Sequence, residues 1–181
     1  MKRVLVLSLL LVLFNSCKEA TNKNIDETLE DSTTKVEEPT KKQLVFKISF
    51  ETTIPDDFTL YSKDVFLNNN KFMDIYVKHK LNMNETQKTI TYEFPEGIVP
   101  DYNLSLLLGR EHVKEVIINN ITVSFGGKVI DIKPSELTKY FALNKYIDFN
   151  SEEGKLMTKK VKGKHNPVIS LKKKLLTKLI N

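Results

Sequence analysis

The stretch Ile121-Thr122-Val123-Ser124-Phe125-Gly126-Gly127-Lys128-Val129-Ile130-Asp131-Ile132 decides the fold class. Ile121, Val123 and Phe125 are apolar and alternate with Thr122 and Ser124, the period of two expected of a strand with one buried face. Two glycines interrupt the run, and a second apolar stretch, Val129 to Ile132, follows. A two-residue Gly-Gly turn supplies the positive φ values that a tight hairpin needs. The segment therefore reads as a β-hairpin.

The same texture extends in both directions. Phe46, Ile48 and Phe50 alternate with Lys47, Ser49 and Glu51. Phe58 to Tyr61 reads the same way. Met73, Ile75 and Val77 predict one buried face, as do Ile90, Tyr92 and Phe94, and then Leu104, Leu106 and Leu108. Turn signals separate these runs: Pro55-Asp56-Asp57, Asn68-Asn69-Asn70, Asn82 to Glu85, Pro95-Glu96-Gly97 and Pro100-Asp101. Short strands at regular, turn-separated intervals predict an all-β, antiparallel sandwich over residues 43–181. The absence of long helical periods argues against an α/β arrangement. One or two short helices are expected near the C-terminus. Pro134 to Phe141 begins with helix-entry residues and places Leu137 and Phe141 four apart, and Val168 to Ile180 puts Leu171, Leu175, Leu176 and Leu179 on one helical face. Tyr146–Phe149 and Leu156–Lys160, flanking Asn150 to Gly154, predict one more hairpin.

The chain ahead of this domain reads differently. Met1-Lys2-Arg3 is a short positive region, and Val4 to Phe14 is apolar apart from Ser8. Such a run matches the hydrophobic core of a signal peptide and is too short to cross a bilayer as an anchor. The only cysteine, Cys17, follows at once, within Leu13-Phe14-Asn15-Ser16-Cys17. That run resembles the lipobox of bacterial lipoproteins, with Ser16 and Cys17 matching and Phe14 and Asn15 departing from the usual residues. The resemblance implies a signal peptide over 1–16 and a lipid attached at Cys17, holding the mature chain to a membrane by acyl chains. Lys18-Glu19 is similar to the export tag of surface lipoproteins, which favours the cell surface of an outer membrane over its periplasmic face. Residues 18–42 hold five lysines, seven acids and few apolar side chains. Too little can be buried there to offset the entropy of ordering, so 17–42 reads as the acylated cysteine and a disordered tether of about 25–30 Å.

Charge narrows the functional classes. The net +5 resides in the tail, since 155–181 carries nine lysines and no acid. A lysine-rich tail without aromatic residues argues against nucleic acid as a partner. One cysteine excludes a disulfide scaffold and a cysteine-based zinc site. No phosphate loop, zinc helix or nucleophile elbow occurs, so the chain is expected to be no enzyme and to use no cofactor and no metal. Asp56-Asp57 reads as a pair of turn residues. His79, His112 and His165 lie far apart and read as surface or edge residues, and Asp148-x-Asn150-x-Glu152-Glu153-Gly154 reads as a hairpin turn, its spacing failing that of a calcium loop. With no tryptophan in the chain, Tyr61, Tyr76, Tyr102, Tyr140 and Tyr146 are the aromatic candidates for a sugar platform, while Tyr92 reads as core.

Asp57-Phe58-Thr59-Leu60-Tyr61, then Ile90 to Pro95, then Val116 to Val123 with Gly126-Gly127-Lys128 together resemble, in strand and turn texture, the galactose-binding-like jelly rolls of bacterial surface proteins. The resemblance covers roughly 43–132 and implies a jelly-roll-like sandwich, with no binding residue carried over. Two functions are consistent with all of this. One is a lipid-anchored, non-catalytic binding or accessory module, with glycan as its ligand. The other is an interaction lipoprotein docking onto an outer-membrane protein.

Overall fold

A computed structural model describes residues 42–67, 71–82 and 87–181. Cys17, the signal region and nearly all of the tether lie outside these residues, as do Asn68-Asn69-Asn70 and most of the turn from Asn82 to Glu85.

Among the described residues, two antiparallel sheets pack face to face. The first contains β1 (Val45–Glu51), β4 (Gln87–Glu93), β6 (Glu115–Phe125), β7 (Lys128–Ile132), β9 (Ile147–Asn150) and β10 (Lys155–Thr158). Its order is β4-β1-β6-β10-β9, with β7 paired to the second half of β6. The second contains β2 (Asp57–Leu67), β3 (Lys71–Lys80), β5 (Ser105–Leu107), β8 (Phe141–Leu143) and β11 (Val168–Leu171), in the order β3-β2-β5-β11-β8. A 3₁₀ turn at Pro134–Glu136 leads into α1 (Leu137–Tyr140), and α2 (Lys173–Ile180) ends the chain. This is the all-β sandwich that the alternating sequence predicts.

The core follows the period of two. Phe46, Ile48, Phe50, Ile90, Tyr92, Ile121 and Val123 point inward from the first sheet, against Phe58, Leu60, Leu106 and Ile169 from the second. Phe50 stacks on Phe58 at 4.9 Å between ring centroids. At Gly126 and Gly127, φ is +56° and +82°, the pair of values that a tight hairpin imposes. Among the described residues, one continuous core runs from Leu44 to Leu179, all of it within residues 42–181.

Three expectations need correction. Met73 does not face the core, because β2 and β3 run past β5, which pairs β2 only over Thr59–Tyr61. A bulge between Ser62 and Val65, with Asp64 at φ +52°, shifts the register. Met73 is 46% exposed, while Ile75 stays buried. Val168 to Leu171 is a strand, β11, and the helix begins only at Lys173. Leu171 thus packs from the sheet, and only Leu175 and Leu179 are buried by the helix. Phe141 likewise belongs to β8, and Tyr140 takes the buried place on α1.

Strand direction defines two ends. Val45, Glu93 and Ser124 lie side by side at the end where Lys42 enters. Glu51, Gln87 and Ile117 mark the opposite, or distal, end. The short connection from Glu51 to Asp57 keeps the start of β2 at the distal end, so the β2–β3 hairpin tip returns to the entry end.

The basic tail is part of the domain, with Lys172, Lys173, Lys174 and Lys178 exposed over a leucine face. Leu175→Ala is expected to cost about 2–5 kcal/mol in urea denaturation, as core truncations do. Lys174→Ala should stay within about 0.5 kcal/mol of the parent chain. Equal effects from the two would show that α2 does not carry core.

Candidate functional site

The distal end is organised by a buried acid. Asp56 is 5% exposed, although its neighbours Pro55 and Asp57 read as an ordinary turn. Its Oδ1 accepts the N–H of Asp57 at 2.8 Å. Its Oδ2 accepts the N–H groups of Glu111 and His112, both at 3.2 Å, and pairs with the ammonium of Lys114. Lys114 is itself fully buried, with its Nζ 5.8 Å from the centre of the Phe58 ring. The backbone of Lys114 is clamped in turn: its N–H donates to Thr158 Oγ1 at 2.8 Å, and Thr158 N–H donates to its carbonyl at 2.9 Å.

Burial opposes ionisation of Asp56, but Lys114 and the N–H groups of Asp57 and His112 outweigh it and hold the carboxyl below its ordinary value. Burial is also the largest influence on Lys114 and lowers its pKa, with Asp56 opposing. Gly109 completes the arrangement at φ +81°, where a Cβ would sit 2.1 Å from Asp56 Cγ. Only glycine allows the loop to close over the carboxylate.

That loop carries Arg110 to the rim of the second sheet. Arg110 Nε donates to Asn166 Oδ1 at 2.8 Å, and Asn144 Nδ2 fixes the Asn166 carbonyl at 2.7 Å. The Nδ1–H of His165 donates to the Arg110 carbonyl at 3.1 Å, leaving the buried Nε2 with no partner among the described residues. No carboxylate of the described residues pairs with the Arg110 guanidinium, so its terminal N–H groups remain available.

Beneath Arg110 lies the outer face of β2, β3 and β5. Tyr61 and Tyr76 are cross-strand partners, and their rings stack at 5.8 Å and 25°. Tyr76 is 57% exposed and donates its hydroxyl to Asp74 Oδ2 at 3.0 Å. That bond is the main reason its pKa is raised, and the phenol stays neutral. Thr59, Lys63, Leu107 and Asn166 join the tyrosines and Arg110 around a depression of about 380 Å³. A second hollow of about 240 Å³ continues it toward Lys78, which pairs with Asp57, and toward Glu111. The surface combines an aromatic ledge, a free guanidinium and charges of both signs, and it is open enough to admit an extended polar ligand.

The structure brings only part of the sequence-read set here. Tyr61 and Tyr76 meet; Tyr92 is core, Tyr140 is buried against α2, Tyr102 stands exposed near the entry end, and Tyr146 is half-buried beside Lys145. His165 and His112 flank the Arg110 loop, while His79 points out from β3. Asp148 pairs with Lys159 and Glu153 with Lys155, and Asn150 Oδ1 caps Glu152, so the segment is the hairpin turn its spacing predicts. Sequence reasoning missed Arg110, Lys114 and the burial of Asp56. The one local signal was Gly109 directly before the polar run Arg110-Glu111-His112. Cys17 lies outside the described residues.

Compared with protein-family models, with curated proteins and with solved structures, the chain matches none.

Removing Lys114 alone strands the Asp56 carboxylate, so Lys114→Met should cost about 3–5 kcal/mol. The pair Asp56→Ala with Lys114→Met should recover part of that loss. Gly109→Ala should destabilise by at least about 1–2 kcal/mol from the backbone alone. Because its folded pKa is lowered, Asp56 stabilises fully above the ordinary carboxylate value of 3.8. That contribution fades as pH falls through the lower folded value. Urea midpoints across an acid series should decline less steeply in the double variant than in the parent.

Proposed function

We propose that this chain is a lipid-anchored, non-catalytic binding module of a bacterial envelope that holds a glycan on the outer face of β2, β3 and β5. The stacked Tyr61–Tyr76 pair beside the open guanidinium of Arg110 is the observation that carries this reading. Sugar rings present apolar C–H faces that settle on aromatic surfaces, and neutral phenols offer that surface without a charge to desolvate. Arg110 adds a planar fork suited to a carboxylate, sulfate or phosphate on the sugar. The ligand class is therefore an acidic glycan. A shallow, rigid sheet face with side chains fixed by cross-strand pairing suits recognition of an extended chain.

The location in this reading comes from sequence. Cys17, lying in a lipobox-like run after an apolar segment, would carry the acyl chains, and the tether would let the domain reach outward from the outer membrane, on the cell-surface side.

Glycan-array binding by residues 42–181 tests the ligand. Acidic glycans should be retained, and Tyr76→Ala and Arg110→Ala should each weaken binding about tenfold without changing the circular dichroism spectrum. An array on which no acidic glycan is retained by the folded domain would end the glycan reading. For the anchor, Cys17→Ser in the full chain should move the protein from the membrane fraction to the soluble one, and an unchanged fractionation would refute acylation there.

A further inference from the structure

The two ends of the sandwich have different surfaces. Nine large hydrophobic residues are exposed among the described residues, and five of them lie at the entry end: Phe72, Met73, Val99, Tyr102 and Val129. Phe72 and Met73 follow the tip of the β2–β3 hairpin, Val99 and Tyr102 sit in the connection from β4 to β5, and Val129 adjoins the Gly126-Gly127 turn. Phe72 is 67% and Tyr102 69% exposed. Single exposed apolar residues are ordinary, but their collection from two strand starts and one connection at one end is not.

Lysines surround them. Lys63 and Lys71 flank the hairpin, Lys128 precedes Val129, and Lys172 to Lys174 begin α2 where β11 reaches this end, all of them exposed. Several acids of the same end are turned to internal donors. Asp74 Oδ1 accepts the Asp64 N–H at 3.1 Å, and Asp101 Oδ1 accepts from Asn103 N–H and from the Ser62 hydroxyl. Glu93 and Glu96 stay exposed. Aromatic and aliphatic tips ringed by lysine are the chemistry of a bilayer interface, where the apolar part enters the headgroup layer and ammonium groups meet phosphates.

We propose that the entry end of the sandwich is a membrane-facing surface that rests on an anionic phospholipid bilayer, with Phe72, Met73, Val99, Tyr102 and Val129 reaching into the headgroup layer. This goes beyond the glycan reading and does not depend on it, since apart from Lys63, which borders both surfaces, it uses other residues at the other end. Nor does it require an acyl chain on Cys17. It gives the domain an orientation in which the Arg110 face points away from the lipid. A second copy of the chain fits less well, because the free edge of β3 carries Lys71, Lys78 and Lys80, which repel a like edge.

The chain has no tryptophan, so a single introduced indole reports its own surroundings. In residues 42–181, Phe72→Trp should show a blue-shifted emission on adding vesicles of phosphatidylcholine with phosphatidylglycerol, and the shift should weaken with salt. Tyr76→Trp on the outer sheet face should not shift. Met73→Ser together with Val129→Ser, in the Phe72→Trp background, should lower vesicle affinity about tenfold. Val129→Trp is a second reporter should Phe72→Trp fail to fold. A folded reporter that does not respond to anionic vesicles overturns the proposal. Equal shifts at Phe72 and Tyr76 would do the same, by showing adsorption without orientation. A shift that appears without lipid as protein concentration rises would assign this end to a second copy instead.

Discussion

A carboxylate taken out of water must be met by donors from every side, and Asp56 meets that requirement with three backbone N–H groups and one ammonium. The donors come from segments about fifty-five residues apart in the chain, so satisfying one side chain fixes how the loop after β5 lies against the start of β2. Gly109 permits the approach, and Thr158 anchors the far side of Lys114 to β10. The buried pair thus joins the two sheets at the distal end. A paired charge of this kind adds little net stability over an apolar substitute, whereas removing one partner leaves the other buried and uncompensated.

The position of Arg110 is a consequence. It stands one residue beyond Gly109 and directly before the N–H groups that Asp56 receives, and its own side chain is steered by Asn166. The neighbouring tyrosines are placed by a different rule. Tyr61 and Tyr76 meet because antiparallel register sets them opposite each other on the outer face, as it sets Thr59 opposite Lys78. A site of this type couples one feature dictated by sheet geometry with another dictated by electrostatics, and the two converge only in three dimensions. The opposite end follows neither rule; there the hairpin outruns its sheet, and side chains that alternation would bury are left in solvent.

Much of the architecture was legible because it depends on local alternation. Phe46, Ile48 and Phe50 face the core as their spacing predicts, and Gly126-Gly127 turns the chain where it reads as a turn. Legibility failed where a neighbouring strand was needed to decide a face. Met73 shares the period of Ile75 but lacks a covering strand. Leu171 fits a helical face in sequence, yet it pairs with Phe141 in a sheet. In the candidate site, the tyrosines were visible as aromatic candidates without any sign of which two would meet. Asp56 was legible only as a turn residue, because nothing within its own segment announces a lysine fifty-eight positions later.

The sequence by itself therefore determined that residues 43–181 build strands, that their apolar faces make a sandwich, and that the lysine-rich tail carries buriable leucines, since period and composition act over a few residues. The tertiary structure alone decided that Asp56 is buried, that Arg110 overlooks a tyrosine pair, and that exposed apolar tips gather where the chain enters. Those outcomes depend on which distant segments lie side by side, and that adjacency is settled by the packing of the whole core.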